Sequence, residues 1–532
     1  MTRRHDDLGD KVRSRGYQPA RAEVEQLFAR LATADRDDAE VTERALARLA
    51  DAAELAMARF ATSEPPERGR LVKLIGRVTQ TRPTEPRLRF LLERLDDDDR
   101  KSRRNAVIAL GKLDDPRIEP ALHAAWQADQ SVELRRSIAA ALGKIGGSAS
   151  CALLATLRTD DPELRRITDE ALVKLEREAS RSAPGGIDAT RSAPAPLEVR
   201  LHCRAGLSEL VARELDRPLG ARILDEETVA AKLRGPLERL WQSRIALYFA
   251  FPLPTGGARE PGEAVVNALT SAEALATFRA FTVGAFRYRI EWAGAGHRRG
   301  LTFRVAREVA ARRPELVNDP TASLWEAIVR ERDAVEVELW PRGLADPRFA
   351  YRQAHVPASS HPTLAAALAR LGGARPDDVV WDPFVGAATE LVERARLGPY
   401  RRLVGTDLDA AALERARENL RAAGVDDVEL VVADARTFRP KAAPTLVVTN
   451  PPMGRRVLNK QLTGALFEAL IDHLAELLPA GARLVWITPR GRDTVERARK
   501  HHFKLEYRKR IDMGGFDAEL QAFTVPSKRA PR

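Results

Sequence analysis

From the N-terminus to about residue 180, apolar residues recur at three- and four-residue spacing, and Pro and Gly fall between the periodic stretches. This pattern predicts helices throughout. A motif repeats inside it. N-A-V-I-A-L-G-K-L-D-D-P (105–116) is echoed by S-I-A-A-A-L-G-K-I-G-G-S (137–148), with weaker copies starting at Asp169 and Val72. A period of about thirty to thirty-five residues predicts stacked helix pairs. Leu110 and Leu142 would then face the shared core, and Gly111 and Gly143 would let neighbouring helices approach closely. The acidic turns 96–100 and 159–163 supply N-caps and first-turn charge for the helices that follow.

The pattern then changes twice. R-S-A-P-G-G-I-D-A-T-R-S-A-P-A-P (181–196) lacks periodicity and is expected to be a flexible linker. Over 197–352, alternating segments predict strands at 197–203, 286–292 and 335–340, with a helix in 206–215 and another inside the basic stretch 296–313. From 353 onward strand and helix alternate regularly. Apolar strands are expected at 379–382, 402–407, 428–434, 445–450 and 483–488, with a helix at 410–422, which predicts a parallel, doubly wound α/β sheet.

Length and composition set outer limits. A chain of 532 residues exceeds one core and suits three domains, 1–180, 197–352 and 353–532. No apolar run approaches the length of a membrane span, and no apolar segment follows the charged opening residues. A cytoplasmic protein is therefore expected. Cys151 and Cys203 are too few and too far apart for a disulfide framework or a zinc site, and no metal-ligand cluster is visible. The net charge of +11 fits a polyanionic partner.

The candidate chemistry lies at strand ends. Asp382, Asp407, Asp434 and Asn450 each fall at the C-terminal end of an expected strand, where an open α/β sheet binds its ligands. The first loop, D-P-F-V-G-A-A-T-E (382–390), includes Pro383, Phe384, Gly386 and Thr389. A tight turn entering a helix suits a carboxylate such as that of S-adenosylmethionine. Asp407, in G-T-D-L-D (405–409), is placed to accept from ribose hydroxyls, and Asp434, in A-D-A (433–435), from an adenine amino group. The fourth loop is T-N-P-P-M-G-R-R (449–456). An exocyclic ring amine is a poor nucleophile because its lone pair is delocalised. Accepting both its protons, at the Asn450 side-chain oxygen and the Pro451 carbonyl, localises that pair, and Pro451 and Pro452 stiffen the acceptors.

These residues resemble the THUMP-containing RNA guanine-N2 methyltransferases, a class I S-adenosylmethionine-dependent family. The resemblance covers roughly 197–525 and is most specific at D-P-F-x-G, G-T-D-L-D and N-P-P-x-G. It extends to H-P-T-L-A-A-A-L-A-R-L (361–371) and D-M-G-G-F-D-A-E-L (512–520). R-A-G-L-S-E-L-V-A-R-E-L (204–215), H-R-R-G-L-T-F-R-V and N-D-P-T (318–321) are similar to the family's ferredoxin-like and THUMP parts, while the N-terminal repeats resemble HEAT repeats. The resemblance implies a HEAT-like all-α solenoid, a ferredoxin-like and THUMP-like α+β region, and a Rossmann-like methyltransferase domain. It implies a cofactor pocket at Asp382, Pro383, Phe384, Gly386, Thr389, Asp407, Leu408, Asp434 and Ala435, and a catalytic loop from Asn450 through Pro451 and Pro452 to Met453. The implied substrate is structured RNA, tRNA ahead of ribosomal RNA, with a protein partner for the repeats. Arg298, Arg299, Arg304, Arg307, Arg312, Arg313, Arg455 and Arg456 are the candidate RNA contacts.

The chain departs from the family at two places. Val385, Ala387 and Ala388 stand where small glycine or serine residues are usual. An alanine needing positive φ is strained, and its methyl is positioned to crowd the cofactor. Met453 stands where an aromatic residue usually stacks on the flipped base. Two other readings therefore accompany the RNA enzyme: a non-catalytic RNA-binding scaffold, and an amino-group methyltransferase acting on DNA adenine or protein glutamine.

Overall fold

The computed structural model describes residues 7–526 apart from Arg15, Pro66, Ala183, Pro184, Asp216, Ala295, His297, residues 355–358 and residues 454–459. It divides into two compact units, Met1–Ala183 and Pro184–Arg532.

The first unit is helical. Glu67–Thr81, Arg100–Leu110, Val132–Ile145 and Pro162–Ser182 pack in series, each on the next. Small residues set their separation. A Cβ built on Gly76 would lie 2.5 Å from that of Ala109, and one on Gly111 or Gly143 would lie 2.6 Å from that of Ala141 or Ala171. Leu110 and Leu142 are fully buried between these layers. The acidic turns act twice over. Asp99 and Asp161 accept from the backbone N–H groups of Ser102 and Leu164, capping their own helices. Asp129 and Asp161 also accept from Arg103 and Arg136 of the preceding layer, at 3.1 and 2.6 Å.

The expected linker is shorter than its composition predicts. Gly186–Ile187 pairs antiparallel with Thr282–Val283, the Asp188 N–H donates to the Phe281 carbonyl, and Arg191 donates to the Thr282 carbonyl. The proline- and glycine-rich residues after 185 are thus bound to the second unit. Lack of periodicity gives no sign of edge pairing with a strand almost a hundred residues away.

Besides this two-stranded pairing, the second unit holds two larger sheets. One runs, in spatial order, Arg222–Ile223, Thr228–Leu233, Leu197–His202, Tyr248–Leu253, Val335–Trp340, Trp325–Glu331, Phe286–Trp292 and Leu316–Asn318. Antiparallel pairing of Val335–Trp340 with Tyr248–Leu253 joins the early and late parts of the 197–352 region into a single sheet.

The other sheet runs Val428–Val432, Arg402–Asp407, Val379–Asp382, Leu446–Thr449, Arg483–Thr488, Asp517–Thr524 and Lys504–Asp512. The first five strands are parallel, and Asp517–Thr524 is antiparallel to both its neighbours. The chain leaves Val379–Asp382 to one side for its second and third strands and to the other for its fourth and fifth. Val379–Asp382 is therefore the switch point at which a crevice opens. Its opposite end is anchored by Asp378, which accepts from Arg394 at 2.8 Å, both side chains being fully buried, and from Arg483 and Thr445. Burial alone would raise this carboxyl, but the two guanidinium groups hold it down at about 2.

Candidate active site

The first loop is built around buried polar atoms. Asp382 is fully buried. One of its oxygens accepts from the Thr449 hydroxyl at 2.6 Å and from the Phe384 N–H at 3.1 Å, while the other has no hydrogen-bond partner among the described residues. Glu390, in the first turn of Thr389–Arg396, is also buried, and the Thr389 hydroxyl is buried without a hydrogen-bond partner among the described residues. Burial, reinforced for Asp382 by the charge of Glu390, raises both carboxyl groups, that of Glu390 to about 6. The sequence pattern suggested a carboxylate-binding turn. Two buried carboxyl groups border this turn, and the Asp382 oxygen left unpaired among the described residues suits a hydrogen-bond donor such as an ammonium group.

The glycine-poor loop adapts by turning its side chains inward. Gly386 has φ 46° and Ala388 φ 61°, so the expected positive-φ alanine is present. Such a residue costs about 1–2 kcal/mol. Its methyl is nonetheless fully buried, as is the Val385 side chain, which packs where a Cβ on Gly405 would lie 2.7 Å from Val385 Cγ2. Val385 and Ala388 therefore present almost no surface to an incoming ligand.

At the next strand end Asp407 accepts from the N–H groups of Gly386 and Asp409, both at 3.0 Å. Each carboxylate oxygen keeps acceptor capacity beyond these bonds. Leu408 is 71% exposed, and Val432, whose strand pairs Asp407 with Val432, is 55% exposed. Two large apolar side chains open to water at adjacent strand ends suit a flat ring. Asp434 accepts from Arg436, which holds its carboxyl low, and Ala435 is buried.

Asn450 follows the fourth strand. Its Nδ2 donates to the Ser360 hydroxyl oxygen at 2.8 Å, and the Ser360 hydroxyl donates in turn to Glu390. This chain fixes the amide orientation and leaves Asn450 Oδ1 buried without a partner among the described residues. Pro451 is buried, and Pro452 and Met453 are half-buried, Met453 packing against the apolar core. Sequence reasoning missed Ser360 and Glu390. Their signals were a serine just before the H-P-T motif and a glutamate directly after Thr389.

The arginine candidates of the 296–313 segment do not gather at this crevice. Arg299, Arg304 and Arg312 are exposed on the helix Arg299–Arg312, which accompanies the other sheet, and Arg307 is exposed on the same helix. Arg298 pairs with Glu331 at 2.6 Å, Arg312 with Glu308 at 2.6 Å, and half-buried Arg313 ends the helix. Arg455 and Arg456 lie outside the described residues. Also among the described residues, no His, Cys, Asp or Glu cluster fits a metal ion, and no helix is long and apolar enough to cross a membrane.

Comparison with known proteins agrees with this geometry. Residues 350–518 match the family model of the RMKL-like methyltransferase domain, and residues 88–173 match that of HEAT repeats. The chain is 36% identical over 157 residues to a tRNA (guanine(6)-N2)-methyltransferase of Thermus thermophilus, covering 29% of this chain and 46% of the relative. It is 38% identical over 98 residues to a tRNA (guanine(10)-N2)-dimethyltransferase of Methanothermobacter thermautotrophicus, covering 18% and 29%. The chain thus spans less than half the length of either relative. Among solved structures, a methyltransferase complexed with SAH shares the fold over 63% of this chain and all of its own, at 16% identity and a TM-score of 0.50. Residues 350–518 are thus similar to the RMKL-like methyltransferase domain, and residues 88–173 to HEAT repeats.

Proposed function

We propose that this chain methylates the 2-amino group of guanine in structured RNA, tRNA ahead of ribosomal RNA, using S-adenosylmethionine. The carrying observation is Asn450, whose side-chain oxygen is buried, has no partner among the described residues and is fixed in orientation by Ser360. An unpaired buried acceptor is costly unless a donor arrives, and the exocyclic amine of a nucleobase is such a donor. The names of the two tRNA guanine-N2 relatives support the choice of base and RNA.

The residues at these strand ends suit the cofactor. Asp382 has a spare buried oxygen and Glu390 lies beside it, so the two would hold an ammonium group. Asp407 would accept from ribose hydroxyls, and Leu408 and Val432 would flank the adenine, with Pro383, Phe384, Gly386, Thr389 and Ala435 shaping the wall. Asp434 is engaged with Arg436 and would reach the adenine only by sharing that contact. S-adenosylmethionine, when bound, supplies an activated methyl group. Asn450 and the Pro451 carbonyl accept the two amine protons and so direct the nitrogen lone pair. Met453 closes on the ring by dispersion. A strong base is unnecessary because the methylated nitrogen loses its proton after transfer. The 197–352 region would serve as the ferredoxin-like and THUMP-like RNA-binding part, and the HEAT repeats would dock a protein partner.

Labelled methyl transfer by the purified protein to bulk RNA, followed by nucleoside mass spectrometry, tests this. The expected product is N2-methylguanosine, with Asn450→Ala lowering the rate at least a hundredfold, on the order of the loss when one preorganised polar group is removed. Label on DNA adenine or protein glutamine with unlabelled RNA would overturn the substrate. No thermal stabilisation at saturating S-adenosylmethionine would favour the scaffold reading, to which the strained Ala388 lends weight.

A further inference from the structure

A second polar cleft, of about 490 Å³, opens on the eight-stranded sheet away from Asn450. An aromatic row crosses its floor. His202 and Tyr248 are direct cross-strand partners whose rings stack at 4.7 Å with an interplanar angle of 17°, and Tyr248 meets the Trp340 ring edge-on at 6.1 Å. The stack is therefore closed on the Trp340 side. On its other side His202 faces the neighbouring strand, where its partner is the small Thr228. Beyond Thr228 stands Leu224, 37% exposed although it is a large apolar residue. His202, Thr228 and Leu224 all line the cleft, so an aromatic ring and an exposed leucine border one space above the small threonine.

The charges of the cleft say what the slot takes. Glu338 is buried beneath it and accepts from Arg200 at 3.1 Å and Arg330 at 2.6 Å, with His202 at 2.9 Å. Burial would raise this carboxyl, but His202 and Arg330 hold it down at about 2, so it stays charged and neutralises the cations around it. The lining arginines and carboxylates are in near balance. The cleft is thus not a phosphate trap. What it offers is a ring face, an apolar wall and mixed donors and acceptors at the edges, the requirements of a nucleobase.

We infer that this cleft binds one unpaired base of single-stranded RNA, sandwiched between His202 and Leu224. The inference rests on the RNA reading of the catalytic domain. Arg204, in the cleft wall, donates to the Asp512 carbonyl and so stands where the two sheets of the unit meet. It is also near enough to His361 to act with burial, Arg352 and Arg348 in holding that imidazole down at about 4. His361 adjoins Ser360 in sequence, so Arg204 connects the cleft wall to the segment that orients Asn450. Stacking on a ring also requires a base already out of a duplex, which favours loops and ends over paired stems.

The test uses the full chain and a fluorescently labelled single-stranded RNA pentamer whose central base is 2-aminopurine. Anisotropy reports binding, and 2-aminopurine quenching reports stacking. His202→Ala and Leu224→Ala are each expected to weaken binding about tenfold and to abolish the quenching, whereas His202→Phe keeps both. Leu224 is at the surface, so its variant keeps the fold even if loss of His202 disturbs the Glu338 network. Unchanged binding and quenching in Leu224→Ala and His202→Ala would overturn the inference. So would a His202→Phe protein as weak as His202→Ala. Methyl transfer to bulk RNA, measured in parallel, separates the two claims. Binding and quenching as expected without any methylation would leave the cleft standing and remove the enzymatic reading. Methylation with unaltered pentamer binding in the variants would do the reverse.

Discussion

Replacing Glu390 by glutamine removes a buried charge while keeping the shape of the side chain and an oxygen for the Ser360 hydroxyl. The carboxyl is raised from 4.5 to about 6, chiefly by burial. At about 1.36 kcal/mol for each pH unit, that difference amounts to about 2 kcal/mol. Below pH 4.5 Glu390 is neutral in both folded and unfolded chains and costs nothing. Between pH 4.5 and 6 the unfolded chain ionises while the folded one keeps its proton, so stability falls as pH rises. Above pH 6 both are ionised and the whole cost persists. Glu390→Gln is therefore expected to match the wild type near pH 4 and to exceed it by up to about 2 kcal/mol at pH 8. Urea unfolding followed by tryptophan fluorescence measures this for the second unit, since Trp126 alone belongs to the helical one. A variant equal to or less stable than the wild type at pH 8 would refute the reasoning, because Glu390 would then be carried as a well-compensated anion.

Three further outcomes follow from packing and charge. Gly405→Ala would set a Cβ 2.7 Å from Val385 and 2.8 Å from Leu430, so a loss of about 1–3 kcal/mol is expected, restored only in part in the double variant with Val385→Ala because Leu430 still crowds the new Cβ; a double-mutant cycle in urea measures the coupling. Arg394→Met strips a fully buried partner from Asp378 and should cost about 3–5 kcal/mol, read from the same unfolding transition. Gly143→Ala drives a Cβ to 2.6 Å from that of Ala171 and 2.7 Å from its Cα, so calorimetry should show the helical unit melting lower while the second unit melts unchanged.

Much of the architecture is visible in local patterns. Helical spacing and the L-G-K repeat mark the stacked helices, because each layer must bury the same apolar stripe and keep a glycine where the next helix crosses. The parallel strands read as apolar runs because both faces of their sheet are covered. Asp382, Asp407 and Asn450 were legible as strand-end residues on one edge of a sheet, because strand ends are read locally and regular strand–helix alternation makes the strands parallel. The arginines were legible only as composition. A helix shows which residues face outward, but not whether a guanidinium such as Arg298 is already tied to Glu331, which lies on another strand.

The amino-acid sequence by itself marked the repeated helices, the alternation of strand and helix after residue 353 and the N-P-P loop, because periodicity, turn chemistry and short motifs act over a few residues. Tertiary structure alone decided how that loop is set. Ser360, Glu390 and Asn450 are far apart along the chain, and their hydrogen bonds exist only because the first-strand loop and the fourth strand end side by side. It also decided that Val385 and Ala388 turn their side chains into the core, and that the stretch after residue 185 pairs with a strand. Each of these depends on which surface a residue meets across the fold, and that is fixed by packing between elements distant in sequence.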